Sequence, residues 1–295
     1  MWRLLPLTRQ FKRSYSLILS GSVSKSITDL RIAFDITKSN RSYPNIAKID
    51  IYNPNDETVS MITSDDPLII LKAGYEGNQG ILFRGKQRNV FDNRLAEDRI
   101  LTIYAADGYR DWESAIYNKT LSENLKIKDI VLELFQTLTG SGEITIGSIE
   151  GLEQPADKIR GQTLSGSSKD ILDLLAEDYN FKWSIQDGEI ILTEEDNEIS
   201  YLESVLLNQN TGLIGSPTVT EIGAEAVSLI NPNLLPGRLF TIESRSSQLA
   251  LSNLQFRNVR RSSANGTYRA YEVSFKGDTH SNQWFSLVKG ISQSG

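Results

Sequence analysis

The 295-residue chain contains no cysteine. That excludes a disulfide scaffold, a thiol nucleophile and a cysteine-ligated metal. It contains one histidine, His280. A multi-histidine metal site within one chain is therefore excluded, although copies of the residue could meet on a threefold axis. Long apolar runs are missing as well. No stretch approaches the roughly 18 residues that a membrane span needs. Met1–Arg13 superficially resembles a targeting peptide, but its apolar part, Leu4–Leu7, is broken by Pro6 and followed by Arg9. A secretory core needs about 7–15 apolar residues. A soluble, unsecreted protein with no membrane span is expected.

Charge is unevenly spread beneath a net value of −6. Residues 150–200 carry 13 acidic and 4 basic side chains, whereas residues 1–110 carry 16 basic and 12 acidic ones. Residues 201–295 carry 8 basic and 6 acidic ones. The two ends are mildly basic and the middle is acidic. Overall negative charge argues against tight, sequence-specific or nonspecific nucleic-acid binding, which needs several Lys and Arg on one face.

What is present is a repeat. Ile51-Tyr52-Asn53-Pro54-Asn55 leads to the apolar run Pro67–Tyr75, then Leu82-Phe83-Arg84, then Arg99–Ala105. Near the other end, Leu229-Ile230-Asn231-Pro232-Asn233 leads to Gly237–Ser244, then Gln255-Phe256-Arg257, then Tyr268–Phe275. Asn before Pro is a turn signal, since the Asn side chain can bond its own backbone and Pro fixes the next φ. Alternating runs such as Ile49 and Ile51 against Lys48 and Asp50 read as strands. Order and spacing match as well as residue type, so two similar β domains are expected from one chain. Pro236-Gly237 suits the centre of a type II turn.

In the first region strands are expected at Tyr15–Leu19, Leu30–Ile36, Ala47–Tyr52, Leu68–Ala73, Ile81–Arg84 and Ile100–Ala105. The middle differs. Ile130, Val131, Leu134, Phe135 and Leu138 make one helical face, with Gly140 as a stop. A strand is expected at Glu143–Ile146 and a linker at Gly147–Gly166. Ser167-Ser168-Lys169-Asp170 resembles a capping box opening a second helix, with Asn180 as its stop. Asp187-Gly188 between two alternating runs signals a hairpin. The fold class expected is mainly β with an α+β middle: two similar tube-type β-barrel domains plus a small helix-and-hairpin region. The boundaries are 1–110, 111–200 and 201–295.

Candidate chemistry is sparse. Gly80–Lys86 has phosphate-loop spacing, but Gln87 stands where Ser or Thr would hold magnesium, and a strand is the better reading. Glu194, Glu195, Asp196 and Glu198 lack the spacing of a calcium loop and read as a solvated run. A Ser-His-Asp set would have to use His280, and no glycine-flanked serine turn accompanies it. No catalytic residue, cofactor or metal site is expected.

Several segments together carry a resemblance. In the terminal part these are Ser216-Pro217-Thr218, Gly223–Leu229, Asn231–Arg238, Ile242-Glu243-Ser244, Tyr268–Phe275 and Lys276–Trp284. Earlier parts are Ala47–Asn53, Ala73-Gly74-Tyr75, Phe83-Arg84-Gly85, Ala106-Asp107-Gly108 and Ser168–Leu192. In this order they resemble the baseplate hub family of contractile-tailed bacteriophages, within the tail hub and spike-hub superfamily. The resemblance implies a homotrimer whose six barrels form a pseudo-sixfold ring. That ring joins a sixfold tail tube to a threefold central spike. The implied partners are the tail tube protein, the spike protein, baseplate wedge and tape-measure proteins. The implied location is the virion tail baseplate, after synthesis in the host cytoplasm. Asn53, Pro54, Asn231, Pro232, Pro236 and Gly237 then shape turns. Arg238, Asp278, Thr279, His280 and Trp284 are candidates for contacts or structural locking. Asp278-Thr279-His280 also reads as a turn bonded to its own backbone. Two other functions stay open: a carbohydrate- or peptide-binding β module of a cell-surface or contractile secretion machine, and a tail-associated cell-wall hydrolase. A structural protein, not an enzyme, is the leading expectation.

Overall fold

The computed structural model describes residues 12–122, 125–149, 151–156, 163–194, 203–249 and 263–292. Met1–Phe11, Gln255-Phe256-Arg257 and Glu195, Asp196 and Glu198 lie outside the described residues. The described residues fall into two compact units. One draws on residues 1–38, 46–105 and 199–295, and the other on 39–45 and 106–198.

The first region opens with β1 (Arg13–Ser20), β2 (Ser24–Ile27), β3 (Ile32–Ser39) and β4 (Ile46–Tyr52). Burial alternates strictly along them: Leu17 and Leu19, then Ile32, Phe34 and Ile36, then Ala47, Ile49 and Ile51. Period two places each set on the core face. The helix α1 (Asp56–Ser64) comes next, where sequence reading passes directly from turn to strand. Its cause is local. Asn55 caps it by accepting from the Thr58 N–H at 3.0 Å, and Asp56 and Glu57 sit in the positive first turn. Beyond it lie β5 (Leu68–Tyr75), the 18-residue β6 (Asn78–Leu95) and β7 (Asp98–Ala106). The phosphate-loop lookalike Gly80–Lys86 lies within β6.

The second unit contains α2 (Tyr109–Ser114), β8 (Ile116–Thr120), α3 (Ile127–Leu138), β9 (Thr145–Ile149), β10 (Thr163–Ser167), α4 (Ser168–Tyr179), β11 (Phe181–Gln186) and β12 (Glu189–Glu194). Both expected helices and the hairpin are present. Asp187 and Gly188 have φ of 53° and 87°, as a primed hairpin turn requires. Asn180 ends α4 in the left-handed region. Two expectations need correction. The stretch read as a linker contains β10, which pairs with β8. The capping box does not form, because Ser167 makes no side-chain cap bond and the Ser168 hydroxyl accepts from Thr137 at 2.6 Å instead. Ile130, Leu134, Phe135, Leu172, Trp183 and Ile185 form this unit's core.

The last region supplies β13 (Val205–Leu207), β14 (Leu213–Val219), β15 (Gly223–Leu229), β16 (Leu239–Ile242), β17 (Gln248–Leu249), β18 (Gly266–Asp278) and β19 (Trp284–Ser292). The two end regions do not build separate sheets. They share one 14-stranded sheet and one continuous core.

Within that sheet the repeat takes physical form. The first region runs in the order β3-β4-β7-β6-β5-β1, and the last in the order β14-β15-β19-β18-β16-β13. With β2 and β17 set aside and the six remaining strands of each set numbered in chain order, the order is the same. The Asn-Pro strands, β4 and β15, hold the same place. The alignment of the later strands shifts, however. Tyr268–Phe275 lies in β18, the counterpart of β6 rather than of β7, and β19 takes the place of β7. One pairing differs in sense. β1 and β5 are antiparallel, while β13 and β16 are parallel. β1 doubles back through β2 before reaching β3, whereas β13 passes through one turn to β14. The extra reversal accounts for the opposite direction.

The two sets meet where β18 lies beside β3. There Gly277 faces the ring of Phe34, and a Cβ would meet three ring carbons at 2.9 Å or less. Gly277→Ala is expected to lower stability by about 1–3 kcal/mol, the usual cost of overpacking. Gly21→Ala, whose Cβ would have only ordinary contacts, should stay within about 0.5 kcal/mol of the parent. Urea unfolding of both variants checks this.

Candidate functional site

The contact between β3 and β18 is where the two repeated sets join. Ile32, Asp35 and Thr37 face Thr279, Lys276 and Ser274 in reverse order, so the strands run antiparallel. The Thr279 N–H donates to the Ile32 carbonyl at 3.0 Å, and the Ile32 N–H donates to the Thr279 hydroxyl at 3.1 Å. Lys276 reaches Asp35 at 2.8 Å.

At the end of β18 sits a clamp. Arg31 grips Asp278 with two parallel bonds, Nε to Oδ1 at 3.2 Å and Nη2 to Oδ2 at 2.7 Å. The fork matches the carboxylate geometry, which makes this pair directional as well as attractive. The guanidinium also stacks over the Tyr52 ring at 4.2 Å. Asp278 additionally accepts from the His280 N–H at 2.9 Å, and its own N–H donates to the Gln283 carbonyl. Arg31 holds the Asp278 carboxyl below its ordinary range, against burial, with the His280 N–H helping. The same pairing raises Arg31.

Behind the clamp, Trp284 is buried. Its ring meets Phe34 edge to face at 5.5 Å between centroids, and its Nε1–H donates to the Gly74 carbonyl at 3.3 Å. The Arg13 guanidinium lies over the Trp284 ring at 5.4 Å. It also donates to the carbonyls of Asp278 and Ser281. β1, β3, β5, β18 and β19 are thus tied at one place. The Asp278-Thr279-His280 segment is a turn bonded to local backbone, but it is also the receptor for a distant arginine.

The other sequence candidates lie in turns. Asn53, with φ of 53°, bonds Asp98 through Nδ2 and accepts from the Arg99 N–H at 2.9 Å. It fastens the end of β4 to the start of β7. Pro54 leads into the cap of α1. Asn231 makes an Asx-turn by accepting from the Asn233 N–H at 3.0 Å, and its own N–H bonds Ser286 of β19. Pro232 packs against Gly80 of β6. Gly237 has φ of 84°, and the Arg238 N–H reaches the Leu235 carbonyl at 3.2 Å across the Pro236-Gly237 turn. Arg238 donates to the carbonyls of Glu203 and Asn233, and burial depresses its pKa. His280 is exposed, with Nδ1 2.9 Å from the Thr279 hydroxyl. Sequence reading misses Arg31, Arg13 and Phe34. Their partners lie 247 or more positions away for the two arginines, so no local pattern marks them.

Among the described residues, no group of three His, Asp or Glu side chains is placed to hold a metal ion. No helix among them is long and apolar enough to cross a membrane. The site's polar atoms are spent on one another and on backbone, which is the chemistry of a structural clamp.

No protein-family model matches the sequence, and no curated protein matches it. Solved structures do. A tail protein from Neisseria meningitidis MC58 superposes with a TM-score of 0.62 at 7% identity, over 96% of this chain and 97% of that one. The 43 kDa tail protein of prophage MuSo2 from Shewanella oneidensis gives 0.61 at 8%, over 95% and 98%. A type VI secretion component of E. coli, described as structurally similar to the T4 bacteriophage tail proteins gp27 and gp5, gives 0.58 at 10%, over 96% and 77%. At such identities the likeness establishes a shared fold across nearly the whole chain.

The clamp makes a pH-dependent prediction. Because the Asp278 pKa is lowered on folding, its contribution is complete above the ordinary carboxylate range. It is lost as pH falls through the folded-state value. Asp278→Asn should cost about 1–2 kcal/mol near neutral pH, a charged hydrogen bond discounted for the partly exposed arginine. The difference from the parent should shrink at a pH below the ordinary carboxylate range, as the parent's own carboxylate begins to protonate. Urea unfolding at the two pH values measures it.

Proposed function

We propose that this chain is a hub protein of a phage-type tail baseplate, acting as a structural adaptor rather than an enzyme. The observation that carries this reading is the doubled strand order. One chain presents two sets of six strands with the same order, joined edge to edge. A closed ring of three such chains offers six similar surfaces around an axis while keeping true threefold symmetry. That is the requirement for joining a sixfold tube to a threefold spike. The shared fold with phage tail proteins and with a type VI secretion component supports the same reading.

In this proposal each six-strand set serves as one tube-type barrel of a homotrimer in the virion tail. The tail tube protein stacks on one face of the ring, and the central spike docks on the other. Baseplate wedge and tape-measure proteins are further neighbours. The acidic residues of 150–200 suit a solvated surface. The clamp at Arg31 and Asp278 fixes the angle between the two surfaces of one chain. Asn53, Asn231 and the Pro236-Gly237 turn hold the strand ends that face neighbours.

The purified protein is expected to give a native mass of three chains by mass spectrometry. A monomer or an open polymer would contradict the proposal. Gly237→Val tests the turn's part in assembly. A β-branched residue at positive φ costs about 1–3 kcal/mol, which should lower the melting point and deplete the trimer. His280→Ala should leave mass and melting point unchanged. A cell-wall-cleaving activity abolished by that substitution would overturn the structural reading.

A further inference from the structure

We draw no further inference here: the strongest candidate, the surface patch of Phe91 and Leu95 on the outer half of β6 with Tyr104 of β7, is an exposed apolar face, and nothing in the structure shows what covers it.

Discussion

The structure depends on one unfilled strand edge. β18 is longer than its partner within its own set, so half of one side is left without hydrogen bonds unless another strand arrives. Buried backbone groups left unpaired cost about 1–3 kcal/mol each, so this edge has to be filled. β3 fills it, and in doing so it converts two repeated halves into one sheet with one core. The clamp is a consequence. Arg31 lies one residue before β3 and Asp278 ends β18, so the pair can meet only in this register. Trp284 and Phe34 seal the apolar side, each large ring burial contributing about 1.5–3 kcal/mol.

The same constraint explains where the halves differ. β3 and β14 are counterparts, yet β3 pairs with β18 while β14 pairs, among the described residues, with β17 at Thr218 and Val219. β6 and β18 are counterparts, yet among the described residues only β18 has a second strand farther along the same side. The asymmetry is also visible in the connections. After Asn53-Pro54 the chain builds the capped helix α1, while after Asn231-Pro232 it makes a tight Asx-turn and returns through Pro236-Gly237. The Asn-Pro signal marks the end of a strand in both cases. The neighbouring residues then decide between helix and turn, Asn55-Asp56-Glu57 on one side and Asn233-Leu234-Leu235 on the other.

Much of the fold was legible in the sequence, and the reasons are specific. Ile49 and Ile51 alternate with charged residues, so β4 was readable. Ile130, Leu134 and Leu138 repeat at helical spacing, so α3 was readable. Asp187-Gly188 permits only a tight hairpin. The doubled order of strands was readable because Asn-Pro recurs in matching context. The pairing of the later strands was not, because Tyr268–Phe275 looks like any alternating run and its neighbours are set by tertiary contact. β10, with Ser and Gly in a five-residue strand, carries no strand signal of its own and exists because β8 pairs with it. Of the clamp, Asp278-Thr279-His280 was legible as a turn bonded to local backbone, and Trp284 as a candidate contact. Arg31 was not, since its role arises only when residues 247 positions apart are brought together.

The proposed adaptor role rests on this organisation. The chain's polar groups are committed to holding strands in register, and its two similar surfaces come from a repeat within one chain rather than from two separate proteins. The account's central claim is that three chains supply six similar units around one axis. Electron microscopy of the purified protein, averaged without imposed symmetry, tests it most directly. The account predicts a closed ring with threefold symmetry and six similar lobes of density around a central opening. A particle with twofold symmetry, or single chains with no ring, would contradict it.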